Sequence, residues 1–97
     1  MSDATVFIVD DDQAVARSLR WLIETVRLNV ETFASAQAFL DGYDGSKRGC
    51  LVLDVRMPGM SGLELQDYLR REAMEIPIVF VSAHGDVPTA VNALKGG

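Results

Sequence analysis

The chain has 97 residues, 48% of them hydrophobic, enough for one compact domain and too few for two. Its 14 acidic against 9 basic residues leave a net charge of −5, which argues against sequence-independent binding of this segment to a phosphate backbone. One cysteine, Cys50, makes neither an internal disulfide nor a zinc site, no apolar run approaches the ~20 residues of a membrane span, and "MSDATV" carries no basic, apolar leader, so a reducing cytoplasm is the expected compartment.

Residues 6–9 are a short, wholly apolar run, as expected of a strand covered on both faces. Three aspartates, Asp10, Asp11 and Asp12, follow it directly, and Asp12 is placed to cap a helix. Over residues 13–27 the apolar set Val15, Leu19, Leu22, Ile23 and Val26 falls at helical spacing, with Arg17, Arg20, Glu24 and Arg27 on the other side. Trp21 lies one step off that stripe and is expected to be partly buried. Residues 30–33 read as a weaker second strand, and Ser35 as the cap of a short helix through Ala36, Phe39 and Leu40. "DGYDGSKRG" then breaks the chain with three glycines.

"CLVLD", residues 50–54, is a third buried strand and again ends in a carboxylate. Beyond "RMPGMSG", a helix over residues 63–73 turns Leu65 and Leu69 inward and Arg70, Arg71 and Glu72 outward. "IPIVFVS" is the fourth strand, with Pro77 tolerable only near its start. Asp86 then caps a last helix with Pro88 in its first turn, continuing through Ala90, Val91 and Leu94.

Alternating strands and helices predict an α/β fold with a doubly wound parallel sheet. Parallel strands all end at one edge, where open α/β folds place their sites. Asp10, Asp11 and Asp54 therefore converge there, and Ser82 reaches the same edge from the fourth strand. Two carboxylates ~5 Å apart repel by roughly 3 kcal/mol at an effective dielectric of 20. A crevice of them is best explained by a cation, and all-oxygen ligation suits Mg²⁺. A carboxylate beside such an ion, Asp54, can attack phosphorus to form an acyl phosphate whose oxygens the Ser82 hydroxyl would meet.

"VDDD" after the first strand, "LDVRMPGMSG" after the third and "VSAHGD" after the fourth together resemble the receiver domain of two-component response regulators. The resemblance covers all but a few N-terminal residues, and "VFIVDDDQAV" and "AHGDVPTAV" are similar to the FixJ-type branch, whose members carry a C-terminal helix-turn-helix. It implies a flavodoxin-like sheet of order 2-1-3-4-5, Asp54 as phosphoacceptor, and Asp10 and Asp11 as the acidic pair for Mg²⁺, with the backbone carbonyl of Arg56 as a further ligand. Ser82 would be the switch hydroxyl, and the small Ala83 would leave room for the phosphoryl group. Pro58 and Gly62 match the loop after the phosphoacceptor, Met57 flanks the site and is expected to pack within that loop, and the side chains of Arg56 and His84 would tune the lifetime of the modified form. The implied partners are a sensor histidine kinase, contacting the region of Ala14, Val15 and Ser18, and a transcription-regulating output domain.

The family continues with a fifth strand ending in lysine and a fifth helix, whereas this sequence stops at "ALKGG", so residues 1–97 read as a C-terminally incomplete receiver domain. Lys95 stands about nine residues into the last helix, roughly 13 Å from the site edge, too far to replace that lysine. The expectations for such a chain are Mg²⁺ binding with impaired phosphoryl transfer and a fourth-strand edge open to dimerisation or strand exchange. A phosphatase of the haloacid-dehalogenase type needs a second acid two residues after its nucleophile, where Arg56 stands. A binding module that works without phosphorylation is the remaining alternative.

Overall fold

The computed structural model describes residues 4–81. The expected last helix, together with Ser82, Ala83, His84 and Lys95, lies outside the described residues. Four parallel strands, β1 (Thr5–Val9), β2 (Asn29–Phe33), β3 (Gly49–Asp54) and β4 (Ile78–Val81), form one sheet of order β2-β1-β3-β4. Three helices, α1 (Gln13–Glu24), α2 (Ala36–Gly42) and α3 (Gly62–Arg71), connect them in alternation. This is the expected doubly wound order for the strands described, and β1, which is wholly apolar after Thr5, lies between β2 and β3 with every residue buried.

The period of two along each strand sorts the apolar residues onto two faces. Phe7 and Val9 of β1, Leu51 and Leu53 of β3 and Phe80 of β4 point to the face carrying α2 and α3, where Ala36, Phe39, Leu65 and Leu69 complete the larger core. Within it the Phe39 and Tyr43 rings stack at 4.8 Å, and Phe7 meets both edge-on at 5.7 and 5.4 Å. Val6 and Ile8 point the other way, to Ala16, Leu19 and Ile23 of α1, with Val30, Cys50 and Val52 packed alongside. Each fully buried Leu, Ile or Phe contributes about 1.5–3 kcal/mol relative to exposure.

Local chemistry sets the helix limits. The Asp12 carboxylate accepts the Ala14 and Val15 N–H groups at 3.0 and 3.3 Å and starts α1. The helix stops at Glu24, three residues before the predicted end. There the Thr25 hydroxyl donates to the Leu22 carbonyl, and the chain turns away through Arg27 at φ 64°. Val26 lies beyond that early stop and is 65% exposed, and Leu22, inside α1 where the helix lies over β1 and β2, is 59% exposed instead of buried. Trp21 is 70% exposed, more than its expected partial burial. Ser35 caps α2, accepting the Ala38 N–H at 3.0 Å.

Helix α3 starts at Gly62 on a capping box, with the Ser61 hydroxyl accepting from Glu64 N–H and the Glu64 carboxylate accepting from Ser61 N–H. It ends at Arg71, two residues before the expected end, and the chain leaves it through Ala73 at φ 56°, where Met74 N–H donates to the Leu69 carbonyl and Ala73 N–H to the Arg70 carbonyl. That pairing is a Schellman arrangement with alanine in the position that favours glycine. Pro77 precedes β4 and accepts the Leu51 N–H through its carbonyl, so its missing donor costs the ladder nothing. No helix among the described residues is long and apolar enough to cross a membrane.

Candidate functional site

Strands β1 and β3 pair in parallel with Val9 opposite Leu53, so the next residue of each, Asp10 and Asp54, emerges side by side at the same sheet edge. Asp11, the next residue, turns to solvent. One carboxylate oxygen from each of Asp10, Asp11 and Asp54 lies within 4.8 Å of the others. Asp10 is 0% and Asp54 1% exposed, while Asp11 is open. The structure thus joins the three acids that sequence spacing brought to this edge, two of them out of contact with water.

The backbone holds the acids in place. Asp10 N–H donates to the Phe33 carbonyl at 3.1 Å and ties the end of β1 to β2. Asp10 Oδ1 accepts Asp12 N–H at 2.9 Å, which turns the chain into α1. Asp12 therefore acts twice, through its side chain as helix cap and through its backbone as an anchor for Asp10. The sequence reading found only the first role, although an aspartate at a strand end two residues before a helix cap is the signal for such a turn. Asp54 Oδ1 accepts Arg56 N–H at 3.3 Å.

The loop after Asp54 divides its side chains between core and solvent. Val55 and Met57 are buried in the larger core, so the Met57 side chain packs inward, while Arg56 and Pro58 are exposed. Gly62 N–H donates to the Val55 carbonyl at 3.0 Å, closing the loop beneath Asp54. The Glu64 carboxyl is held below its ordinary value by the Ser61 backbone N–H and then by the Ser61 hydroxyl.

The donor set fits a hard divalent cation. All three groups are carboxylates, each pair repelling by ~3 kcal/mol at an effective dielectric of 20. Asp10 Oδ2 is buried with no hydrogen-bond partner among the described residues. A buried carboxylate oxygen in that state costs free energy that a cation would remove.

Comparison with known proteins agrees with this fold. The family model described as response regulator receiver domain matches residues 6–97. The response regulator protein TodT of Pseudomonas putida is 50% identical over 99 residues, covering 100% of this chain and 44% of that protein. The crystal structure of FixJ-N superposes with a TM-score of 0.87 at 43% identity, covering 100% of this chain and 78% of that one. The response regulator StyR gives 0.86 at 51% identity, with coverage of 99% and 48%. The chain spans less than half the length of the curated relative TodT.

Proposed function

This chain belongs to the response regulator receiver domain family, and from that premise we propose that Asp54 is its phosphoacceptor, charged by a sensor histidine kinase at a Mg²⁺ seat made by Asp10, Asp11 and Asp54. The observation that carries the proposal is the convergence of three carboxylates within 4.8 Å, with Asp54 buried at the end of β3. A carboxylate oxygen of Asp54 attacks phosphorus, the bond from phosphorus to the kinase imidazole nitrogen breaks, and its electron pair stays on that nitrogen, leaving an acyl phosphate on Asp54. Bound Mg²⁺ supplies positive charge against the transferring phosphoryl group.

The protein's own groups do the positioning. Arg56 N–H at 3.3 Å orients the Asp54 carboxylate, and Asp12 N–H at 2.9 Å occupies Asp10 Oδ1 and leaves Oδ2 to the cation. The Arg56 carbonyl completes the protein ligands. Ser82 serves as the hydroxyl that meets the added phosphoryl oxygens, Ala83 leaves space for them, and the Arg56 and His84 side chains set how fast water removes the group.

Residues 1–97 act as the receiver of a longer regulator with a helix-turn-helix output domain, working in the cytoplasm. The kinase docks at the start of α1, a placement supported by the exposure of Ala14 and Ser18 beside the acidic edge, with Val15 half-buried between them. The unit turns over no external substrate, since Arg56 stands where an aspartyl-phosphate phosphatase needs its second acid. Incubation with acetyl phosphate and Mg²⁺, followed by mass spectrometry of wild type and Asp54→Asn, tests the assignment. Modification confined to Asp54 is the expected result.

A further inference from the structure

Gly62 is packed against the backbone of Asp54 itself. It is buried as the first residue of α3, and a β-carbon built on it would stand 2.2 Å from the Asp54 carbonyl oxygen and 3.1 Å from both the Asp54 carbonyl carbon and Val55 Cα. Those neighbours are backbone atoms, so no side-chain rotation relieves the contact.

Neither partner can retreat at low cost. The capping box of Ser61 and Glu64 sets where α3 begins, and Leu65 and Leu69 anchor the helix in the same core as Val55 and Met57. On the other side, Asp54 is the last residue of β3, paired with Val81, and the preceding Leu53 is paired with Val9. The 54–55 peptide is thus held between α3 and the sheet, and a side chain at position 62 would have to displace it.

We propose that Gly62 is a positioning residue for the phosphoacceptor: its missing side chain lets the start of α3 close onto the Asp54 peptide and sets the carboxylate within reach of Asp10 and Asp11. This rests on the reading of Asp54 as phosphoacceptor and metal ligand. A misplacement of about 1 Å is enough to cost ~100-fold in a reaction that depends on alignment. Metal affinity depends in the same way on where the carboxylate stands.

The test compares wild type, Gly62→Ala and Gly59→Ala. Gly59 lies in the same loop at φ 77° with nothing within 4 Å of a built β-carbon, so alanine there strains the backbone without pressing on Asp54. Calorimetric titration with Mg²⁺ alone and the rate of Asp54 modification by acetyl phosphate are measured where circular dichroism shows each variant folded. The expected result is at least a tenfold loss of both for Gly62→Ala and less than a twofold change for Gly59→Ala. Wild-type values in Gly62→Ala, or equal losses in both variants, overturn the proposal.

If Gly62→Ala does not fold, the wild-type chain decides by nuclear magnetic resonance. The Gly62 amide signal shifts on Mg²⁺ saturation although Gly62 offers no ligand, and an unmoved signal overturns the proposal. A wild-type chain that neither binds Mg²⁺ nor accepts the phosphoryl group refutes the site assignment itself, an outcome distinct from wild-type behaviour in Gly62→Ala.

Discussion

Asp10 and Asp54 leave adjacent parallel strands one residue beyond the Val9 and Leu53 pair, and each carries its carboxylate into the same buried pocket, where oxygens lie within 4.8 Å. Forty-three residues of sequence separate them, and one step of strand register brings them together. The pairing concentrates negative charge where water cannot screen it, so a group that serves the site also destabilises the fold in the absence of a cation.

Asp10→Asn separates these two effects. Its amide oxygen can still accept Asp12 N–H, while one charge leaves the pocket. The metal-free variant is expected to be more stable than wild type by about 1–3 kcal/mol, judged against the size of a single pair repulsion. At a Mg²⁺ concentration 100 times its dissociation constant, wild type gains ~2.7 kcal/mol, a rise in Tm of roughly 10 °C or more for a domain this small. Asp10→Asn is expected to lose most of that rise, and thermal denaturation with and without Mg²⁺ checks both halves.

Asp12 distinguishes a side-chain role from a backbone one. Its carboxylate caps α1, whereas its N–H anchors Asp10. Asp12→Ala is expected to cost about 1 kcal/mol and Asp12→Asn only a few tenths. Mg²⁺ affinity should stay within a few-fold in both, since neither substitution removes the N–H. Urea denaturation paired with Mg²⁺ titration measures the two quantities on the same samples.

Ala73→Gly is expected to stabilise the chain. Alanine at φ 56° closes the Schellman turn after α3 in a backbone region that costs an L-residue about 1–2 kcal/mol. Glycine returns part of that gain as greater freedom in the unfolded chain, which leaves a net gain of about 0.5–1 kcal/mol. The midpoint of urea unfolding should rise with an unchanged slope.

The start of α3 carries a pH dependence of definite sign. The Ser61 N–H and hydroxyl stabilise the ionised Glu64 carboxylate, so its folded-state value lies below the ordinary 4.5. A depressed folded value means that the contribution is complete above the ordinary value and is lost as pH falls through the folded one. The stability difference between wild type and Glu64→Ala should therefore be constant near neutrality and shrink in acid below the ordinary value. Thermal denaturation across that range follows it.

The succession of strands and helices and the acidic cluster could be read from the sequence because both depend on short-range pattern, whereas the order of the strands in the sheet came from the resemblance to the receiver family. Apolar runs such as residues 6–9, ending directly in aspartate, mark buried parallel strands, and parallel strands end together. Features that arise from tertiary approach could not be read this way. Leu22 keeps the helical period of α1 yet stands exposed, because periodicity does not state over which strands the helix lies, and Val26 continues that period in the sequence although the helix has already ended at Glu24. Ala73 gives no glycine signal for the turn it makes, and the closeness of Gly62 to the Asp54 carbonyl appears only when α3 and β3 are both in place. Met57, a site-flanking residue expected to pack within its loop, reaches further and joins the main core, because alternate residues of the loop face inward.

The most direct measurement is site-resolved mass spectrometry after incubation with acetyl phosphate, with and without Mg²⁺. One phosphoryl group on Asp54, dependent on Mg²⁺ and abolished in Asp54→Asn, is the expected result. Modification that ignores Mg²⁺, falls on another residue or persists in Asp54→Asn would contradict the assignment of this acidic pocket.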